Sequence, residues 1–309
     1  MALLFVSDDD DPVAWGRALW RLDPALDYRV WPEVGATGDI EAALVWRPPA
    51  GILAGLPNLA LIQSLGAGID HIFSDPDLPA SVPVARLVDA ELTRQMVEYV
   101  ALAVLSRHRR IDAFRSFQRD AEWRVLRPVP VAESRVGVLG LGQIGAAVAR
   151  ALVGFGLEVS GWSRTGKHIA GVESFHGPKG LVPLLARSDI LVCLLPLTPR
   201  TGGLLDARRL AALPPGAYVI NAARGEMVVE EDLLAAIDAG AVSGAWLDVF
   251  RTEPLPADHR FWSHPAITMT PHVAGLTVPE TAAAQVIENL ERVRRGEPPR
   301  NRVDLAAGY

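Results

Sequence analysis

The sequence predicts an α/β protein of two domains, each a parallel sheet wound with helices. Three observations carry that expectation. Short apolar, β-branched runs alternate with helically spaced segments along the chain. The 309 residues exceed one ordinary core and suit two domains of about 150. Residues 135–164, RVGVLGLGQIGAAVARALVGFGLEVSGWSR, read as a complete strand, turn, helix and strand. Strands alternating with helices imply parallel pairing through right-handed crossovers.

Leu3 to Val6 reads as a first strand, closed by four aspartates, and the helix after it carries Val13, Trp15, Leu19 and Trp20 on one side. Further strands are expected at Tyr28 to Trp31, Ala43 to Trp46 and Leu59 to Ser64. Two turn-rich segments follow the last two: Val-Trp-Arg-Pro-Pro at 45–49 and Leu-Gly-Ala-Gly-Ile-Asp at 65–70. Ligands collect at such strand ends in open α/β sheets. The residues alone leave two readings of 66–68 open, an anion-binding nest of backbone N–H groups or an ordinary glycine turn.

From Asp89 to about Arg119 one long helix is expected to link the domains, with Met96, Val97, Val100, Ala101, Val104 and Leu105 apolar. The aromatic and charged segment Ser116 to Arg127 is a candidate surface for a second subunit, and Pro-Val-Pro-Val at 128–131 breaks the chain. In the glycine unit, Gly140 permits a tight turn and Gly142 leaves the backbone open to a pyrophosphate. Gly145 lets the helix that opens with Gln143 and Ile144 pack close to its strand. The phosphates would sit on the helix N-terminus.

Strands at Leu157 to Trp162, Ile190 to Leu195, Ala217 to Ala222, Gly244 to Val249 and Ile267 to Met269 continue the second domain, with helices at Pro178 to Arg187 and Glu230 to Ala239. The last helix, Pro279 to Arg295, has no strand behind it and is expected to return to the first domain. The reading is two Rossmann-like or flavodoxin-like domains with parallel sheets and a cleft between them. Residues 1–96 plus 275–309 form a discontinuous substrate domain and 97–274 a dinucleotide-binding one, with hinges near 96 and 275.

Half the residues are hydrophobic and 21% charged, a globular composition. The net charge of −6 argues against nucleic acid, and the basic run Arg107 to Arg110 reads as a solvated helix face. The one cysteine, Cys193, lies in an apolar run and reads as a buried strand residue, so no internal disulfide forms. An acidic N-terminal stretch without a basic region is expected not to be a signal peptide, and no apolar run is long enough for a bilayer. A cytoplasmic location, no membrane partner and no metal site are expected.

Three polar segments follow later strands: Asn-Ala-Ala-Arg-Gly-Glu at 221–226, Leu-Asp-Val-Phe-Arg-Thr-Glu-Pro-Leu-Pro at 247–256, and Thr-Pro-His-Val-Ala-Gly at 270–275. Arg224 suits a planar clamp for a carboxylate and a neighbouring carbonyl. Glu253 and His272 sit in proline-stiffened turns, and a histidine beside a carboxylate is a tuned acid–base group. Each alone has a bland reading as a surface or satisfied polar residue; together, at the strand ends of the sheet with the glycine turn, they point to catalysis. About 20 residues past that turn an NAD site commonly carries an acid. This chain has Trp162, Ser163, Arg164, Thr165 and then Lys167, donors suited to a 2′-phosphate, so NADP(H) is expected over NAD(H), with NAD(H) still usable. The plain alternative is that Arg164 and Lys167 are solvated loop charges.

These motifs, in this order and over nearly the whole chain, resemble the D-isomer-specific 2-hydroxyacid dehydrogenase family, nearest to its glyoxylate/hydroxypyruvate reductases. Leu-Pro-Leu-Thr-Pro at 195–199 and the ending at 303–309 belong to the likeness. The resemblance implies NAD(P)H-dependent reduction of small 2-oxo acids, glyoxylate to glycolate and hydroxypyruvate to D-glycerate, by a homodimer. It implies Arg224 as substrate clamp, His272 as proton donor and Glu253 as the residue orienting it. It further implies that the N–H groups of Ala67 and Gly68 hold the carboxylate, with Trp46 walling the pocket. Leu195, Pro196 and Asp248 would lie along the cofactor, Asp248 at the nicotinamide end. Arg47, Arg124 and Arg127 depart from the pattern and leave the particular 2-oxo acid open, another D-2-hydroxy acid included. A different class, a dinucleotide-sensing binding protein, shares the fold; the presence of Arg224, Glu253 and His272 speaks against it.

Overall fold

The computed structural model describes residues 2–304. The chain divides into two compact units, one of residues up to Leu92 with the chain from Leu276 on, the other Thr93–Gly275. Residues 305–309, part of the expected substrate domain and of the ending noted above, lie outside the described residues.

In the first unit, β1 (Ala2–Val6), α1 (Pro12–Leu22), β2 (Asp27–Val30), β3 (Ile40–Val45), β4 (Leu61–Ser64), α2 (Asp70–Phe73) and β5 (Val84–Ala85) follow in order. The sheet runs β2-β1-β3-β4-β5, all parallel, the flavodoxin-like order. β1 is buried along its whole length because both faces are covered. Leu3 and Phe5 face a core with Trp15 and Leu19 of α1 and with Ala282, Ala283, Val286 and Leu290, while Leu4 and Val6 face another with Leu53, Ile69 and Ile72. Asp11 caps α1 by accepting the Val13 N–H at 2.8 Å, with Pro12 at the first helical position. Val13 and Trp20, expected on one side with Trp15 and Leu19, are exposed; at 3.6 residues per turn they fall away from Trp15, Ala18 and Leu19, which form the buried stripe.

α3 (Ala90–His108) and α4 (Ile111–Arg119) replace the single long helix expected from Asp89 to Arg119. Arg110 takes a left-handed conformation (φ 55°) between them, with neither glycine nor proline to mark the break. The basic run is also not simply a solvated face. Arg109 and Arg110 are exposed, but the Arg107 guanidinium lies 5.3 Å from the Tyr218 ring centre and donates to the Gly216 carbonyl, and burial holds its pKa below the ordinary value.

The second unit continues with β6 (Arg135–Leu139), α5 (Gln143–Gly154), β7 (Glu158–Ser163), β8 (Val172–His176), α6 (Gly177–Leu185), β9 (Ile190–Cys193), α7 (Ala207–Leu210), β10 (Ala217–Asn221), α8 (Glu230–Asp238), β11 (Val242–Leu247) and β12 (Ile267–Met269). Its seven parallel strands run β12-β11-β10-β9-β6-β7-β8, a Rossmann-type order that reverses between β6 and β9. β8, unread in the sequence, is an edge strand whose Glu-Ser-Phe-His run breaks the apolar signal. Cys193 is fully buried in β9, and burial pushes its thiol up to about 12. After this unit, α9 (Pro279–Arg294) completes the first unit's core. Among the described residues no helix is long and apolar enough to cross a membrane.

Candidate active site

The sheet of the second unit reverses beside the glycine turn, which is where such sheets hold ligands. Gly140 leaves β6 with φ 102°, closed to a side chain because a Cβ would fall 2.6 Å from the Leu194 carbonyl oxygen. That contact sets the turn directly against Leu194, with Leu195 and Pro196 next in the chain. A Cβ at Gly145 would fall 1.7 Å from the Gly140 carbonyl oxygen, so α5 packs on its strand at backbone distance. At Gly142 a Cβ would meet nothing within 4 Å, and no side chain caps α5 there. The first N–H groups of α5, at Gln143 and Ile144, thus open onto free space beside a positive helix end, a fit for a pyrophosphate.

Beyond β7, Arg164, Thr165 and Lys167 are exposed and no acid stands among them. Ser163 is buried and its hydroxyl donates to the Thr165 carbonyl at 2.8 Å, so its proton shapes the loop rather than standing ready for a ligand. In β8, His176 pairs in register with Ser163 and lies against Gly166, a neighbour that the sequence did not reveal.

Arg224 ends the turn after β10. Asn221 braces that turn, donating from its amide nitrogen to the Arg224 carbonyl at 2.9 Å and accepting the Ala223 N–H at 3.2 Å. The Arg224 guanidinium donates to the Ala223 carbonyl at 2.7 Å. Its neighbour Gly225 lies on the Phe250 backbone, where a Cβ would fall 1.9 Å from the Phe250 carbonyl carbon. From the same loop, Glu253 accepts the Phe250 N–H through Oε1 at 3.0 Å and contacts His272 Nδ1 through Oε2 at 2.9 Å. A carboxylate only accepts, so Nδ1 carries the proton and Nε2 is left for other partners. Arg224's turn and the Glu253–His272 pair therefore share one loop cluster at the carboxyl ends of β10, β11 and β12.

His272 occupies a left-handed conformation, φ 56°, which a non-glycine residue adopts only when its surroundings enforce it. Its N–H donates to the Asp248 carbonyl at 2.8 Å. The Asp248 carboxylate, 1% exposed, accepts the N–H groups of Val273 and Ala274 at 2.8 and 2.9 Å and the Thr270 hydroxyl at 2.6 Å.

In the first unit, Trp46 follows β3 and lies over the 65–70 turn: a Cβ at Gly66 would fall 2.8 Å from its ring, and His71 sits 4.2 Å from it, centre to centre. Ser64 shapes the turn, accepting the Gly66 N–H at 3.1 Å and donating to the Gly68 carbonyl at 2.8 Å. The N–H groups of Ala67 and Gly68 meet no acceptor among the described residues, and both residues are half-buried. Arg47 makes a long, exposed ion pair with Asp9 at 3.7 Å.

Fold and side chains together define a nicotinamide-dependent dehydrogenase class. Residues 101–274 match the family model described as D-isomer specific 2-hydroxyacid dehydrogenase, NAD binding domain, and the chain belongs to that family. It is 41% identical, over the full length of both chains, to glyoxylate/hydroxypyruvate reductase A of Yersinia enterocolitica. Among solved structures it superposes with a TM-score of 0.96 on a D-isomer specific 2-hydroxyacid dehydrogenase from Xanthobacter autotrophicus in complex with NADPH and MES. That protein is 45% identical, with 100% of this chain and 99% of that one covered. An NADPH-dependent glyoxylate/hydroxypyruvate reductase from Sinorhizobium meliloti, in complex with NADP and sulfate, gives 0.94 at 35% identity with both chains fully covered.

Proposed function

We propose that this protein reduces small 2-oxo acids, first glyoxylate to glycolate and hydroxypyruvate to D-glycerate, with NADPH preferred and NADH usable. The observation that carries the reading is the Glu253–His272 pair, 2.9 Å apart, at the strand ends of a sheet whose reversal point bears the open glycine turn. The names of its relatives agree with it. Gly140, Gly142, Gln143, Ile144 and Gly145 would hold the pyrophosphate, Leu195 and Pro196 the neighbouring edge, and Asp248 the nicotinamide end. Ser163, Arg164 and Thr165 form the loop for the 2′-phosphate, with Arg164 as its grip. Bound NADPH supplies the hydride. Arg224 clamps carboxylate and carbonyl and favours the charge that develops on oxygen, while Nε2 of protonated His272 gives that oxygen its proton. Glu253, bonded to Nδ1–H, orients the ring. The free N–H groups of Ala67 and Gly68 suit the carboxylate and Trp46 an apolar wall.

The unit containing β1–β5 would serve as substrate domain and the other as dinucleotide domain. A homodimer is part of the proposal, supported by Trp123 and Val125, 99% and 84% exposed in the segment after α4. So is a cytoplasmic setting, which suits a buried, unpaired thiol. The test is a panel of 2-oxo acids followed by loss of reduced-nicotinamide absorbance with NADPH and with NADH. Turnover of glyoxylate and hydroxypyruvate is expected; tight NADPH binding with no turnover across the panel would overturn the reading in favour of a sensor.

A further inference from the structure

A chain of partly buried hydrogen bonds runs from α3 to the turn that carries His272. The Trp246 indole N–H, which can only donate, gives its proton to Tyr99 Oη at 2.8 Å, and the two rings meet edge to face. Tyr99 Oη is hydrogen-bonded to Thr270 Oγ1, and Thr270 gives its own proton to Asp248 Oδ1 at 2.6 Å. The direction is therefore fixed: Trp246 donates to Tyr99, Tyr99 to Thr270, and Thr270 to Asp248. Burial pushes the Tyr99 phenol up to about 12, so it stays a donor at neutral pH. The chain ends on a carboxylate that also takes the N–H groups of Val273 and Ala274, the two residues after His272. Thr270 itself lies two residues before His272. The left-handed turn is thus pinned on both sides by one acid, and links in such a chain polarise one another.

We infer that Tyr99 and Thr270 are positioning residues of the reaction, holding through Asp248 the turn that sets His272 against its substrate. The inference rests on the proposal that His272 is the proton donor. Tyr99→Phe removes the hydroxyl and keeps the ring, and Thr270→Val breaks the same chain with little change of shape. Each is expected to lower kcat for glyoxylate about three- to tenfold while leaving the KM for NADPH unchanged. Thr270→Ser, which keeps the link, should restore the parental kcat. A general loss of structure would not distinguish these changes, so each is repeated in a His272→Gln background. There the effect on residual turnover should vanish, because the group being positioned is gone.

Parental kcat in both Tyr99→Phe and Thr270→Val, with His272→Gln nearly inactive, overturns the positioning role and leaves the donor assignment intact. The same fold-loss in both backgrounds also overturns it. Parental turnover in His272→Gln alone removes the donor assignment and this inference with it. Should Tyr99→Phe fail to fold, the Thr270→Val and Thr270→Ser pair carries the test.

Discussion

Glu253→Gln probes the donor without removing it. Both carboxylate oxygens are committed, Oε1 to the Phe250 N–H at 3.0 Å and Oε2 to His272 Nδ1 at 2.9 Å. An amide offers one accepting oxygen, so only one of these bonds survives. If the oxygen keeps Phe250, the amide N–H₂ points at Nδ1, which must then accept; the ring proton moves to Nε2 and the imidazole stays neutral, a poor acid. If the amide flips, Nδ1 keeps its proton, but the Phe250 N–H faces another donor. Leaving a buried N–H unmet costs about 1–3 kcal/mol, so the productive arrangement becomes roughly five- to a hundredfold rarer. The expected fall in kcat is therefore about five- to a hundredfold, reaching into the span of general acid catalysis. The KM for NADPH should hold, since neither oxygen faces the glycine turn. Steady-state NADPH oxidation with glyoxylate measures both constants. A folded Glu253→Gln protein within threefold of parental kcat would show that the pair is structural and that the proton comes from elsewhere.

Arg224→Lys should raise the KM for the 2-oxo acid and lower kcat, each about tenfold, because an ammonium cannot grip carboxylate and carbonyl in one plane; unchanged substrate kinetics would move the clamp to Arg47 or Arg124. Arg164→Ala should raise the KM for NADPH about 10- to 100-fold and leave that for NADH nearly unchanged, and equal effects on both would remove the 2′-phosphate assignment. Burial pushes the Asp189 carboxyl up, but Arg135, through side-chain bonds of 2.6 and 2.8 Å and its backbone N–H, holds it below its ordinary value. A depressed carboxyl stabilises the fold above its unfolded pKa of about 3.9 and loses that effect as pH falls through the folded value. Asp189→Asn should therefore lower Tm about 1–4 °C at neutral pH, a modest amount for a pair more than a third exposed, and by less at acid pH; a pH-independent difference in thermal unfolding would refute the linkage.

What the sequence made legible was whatever local chemistry repeats. β1 is apolar at every position because both of its faces are covered; β9 announces itself the same way, and β6 and β10 do so through their central apolar residues. The glycine turn is legible because a Cβ at Gly140 or Gly145 would fall 2.6 or 1.7 Å from a backbone carbonyl oxygen, which excludes every side chain. Elements that lean on neighbours were not legible. β8 is half-exposed and polar, held by β7 rather than by its own pattern, and Arg110 breaks the long helix with no residue that demands a break.

The same division runs through the site. Arg224, Glu253 and His272 stand out because each sits beside a proline or a glycine just past an apolar strand, a local signal. Their support does not. Tyr99 and Thr270 are 171 residues apart, and in sequence Tyr99 is one aromatic among the apolar positions of a helix. Only the register of β11 against β12, which pairs Leu247 with Met269, brings Asp248 level with Thr270 and within reach of α3. A residue that touches the substrate must carry a chemical type that betrays it, whereas a residue that holds such a group in place needs only a hydroxyl at the right point in space. Sequence patterns therefore expose the reacting groups of this fold sooner than the groups that aim them, and substitutions at Tyr99 or Thr270 are where kinetics should depart most from what the sequence alone would suggest.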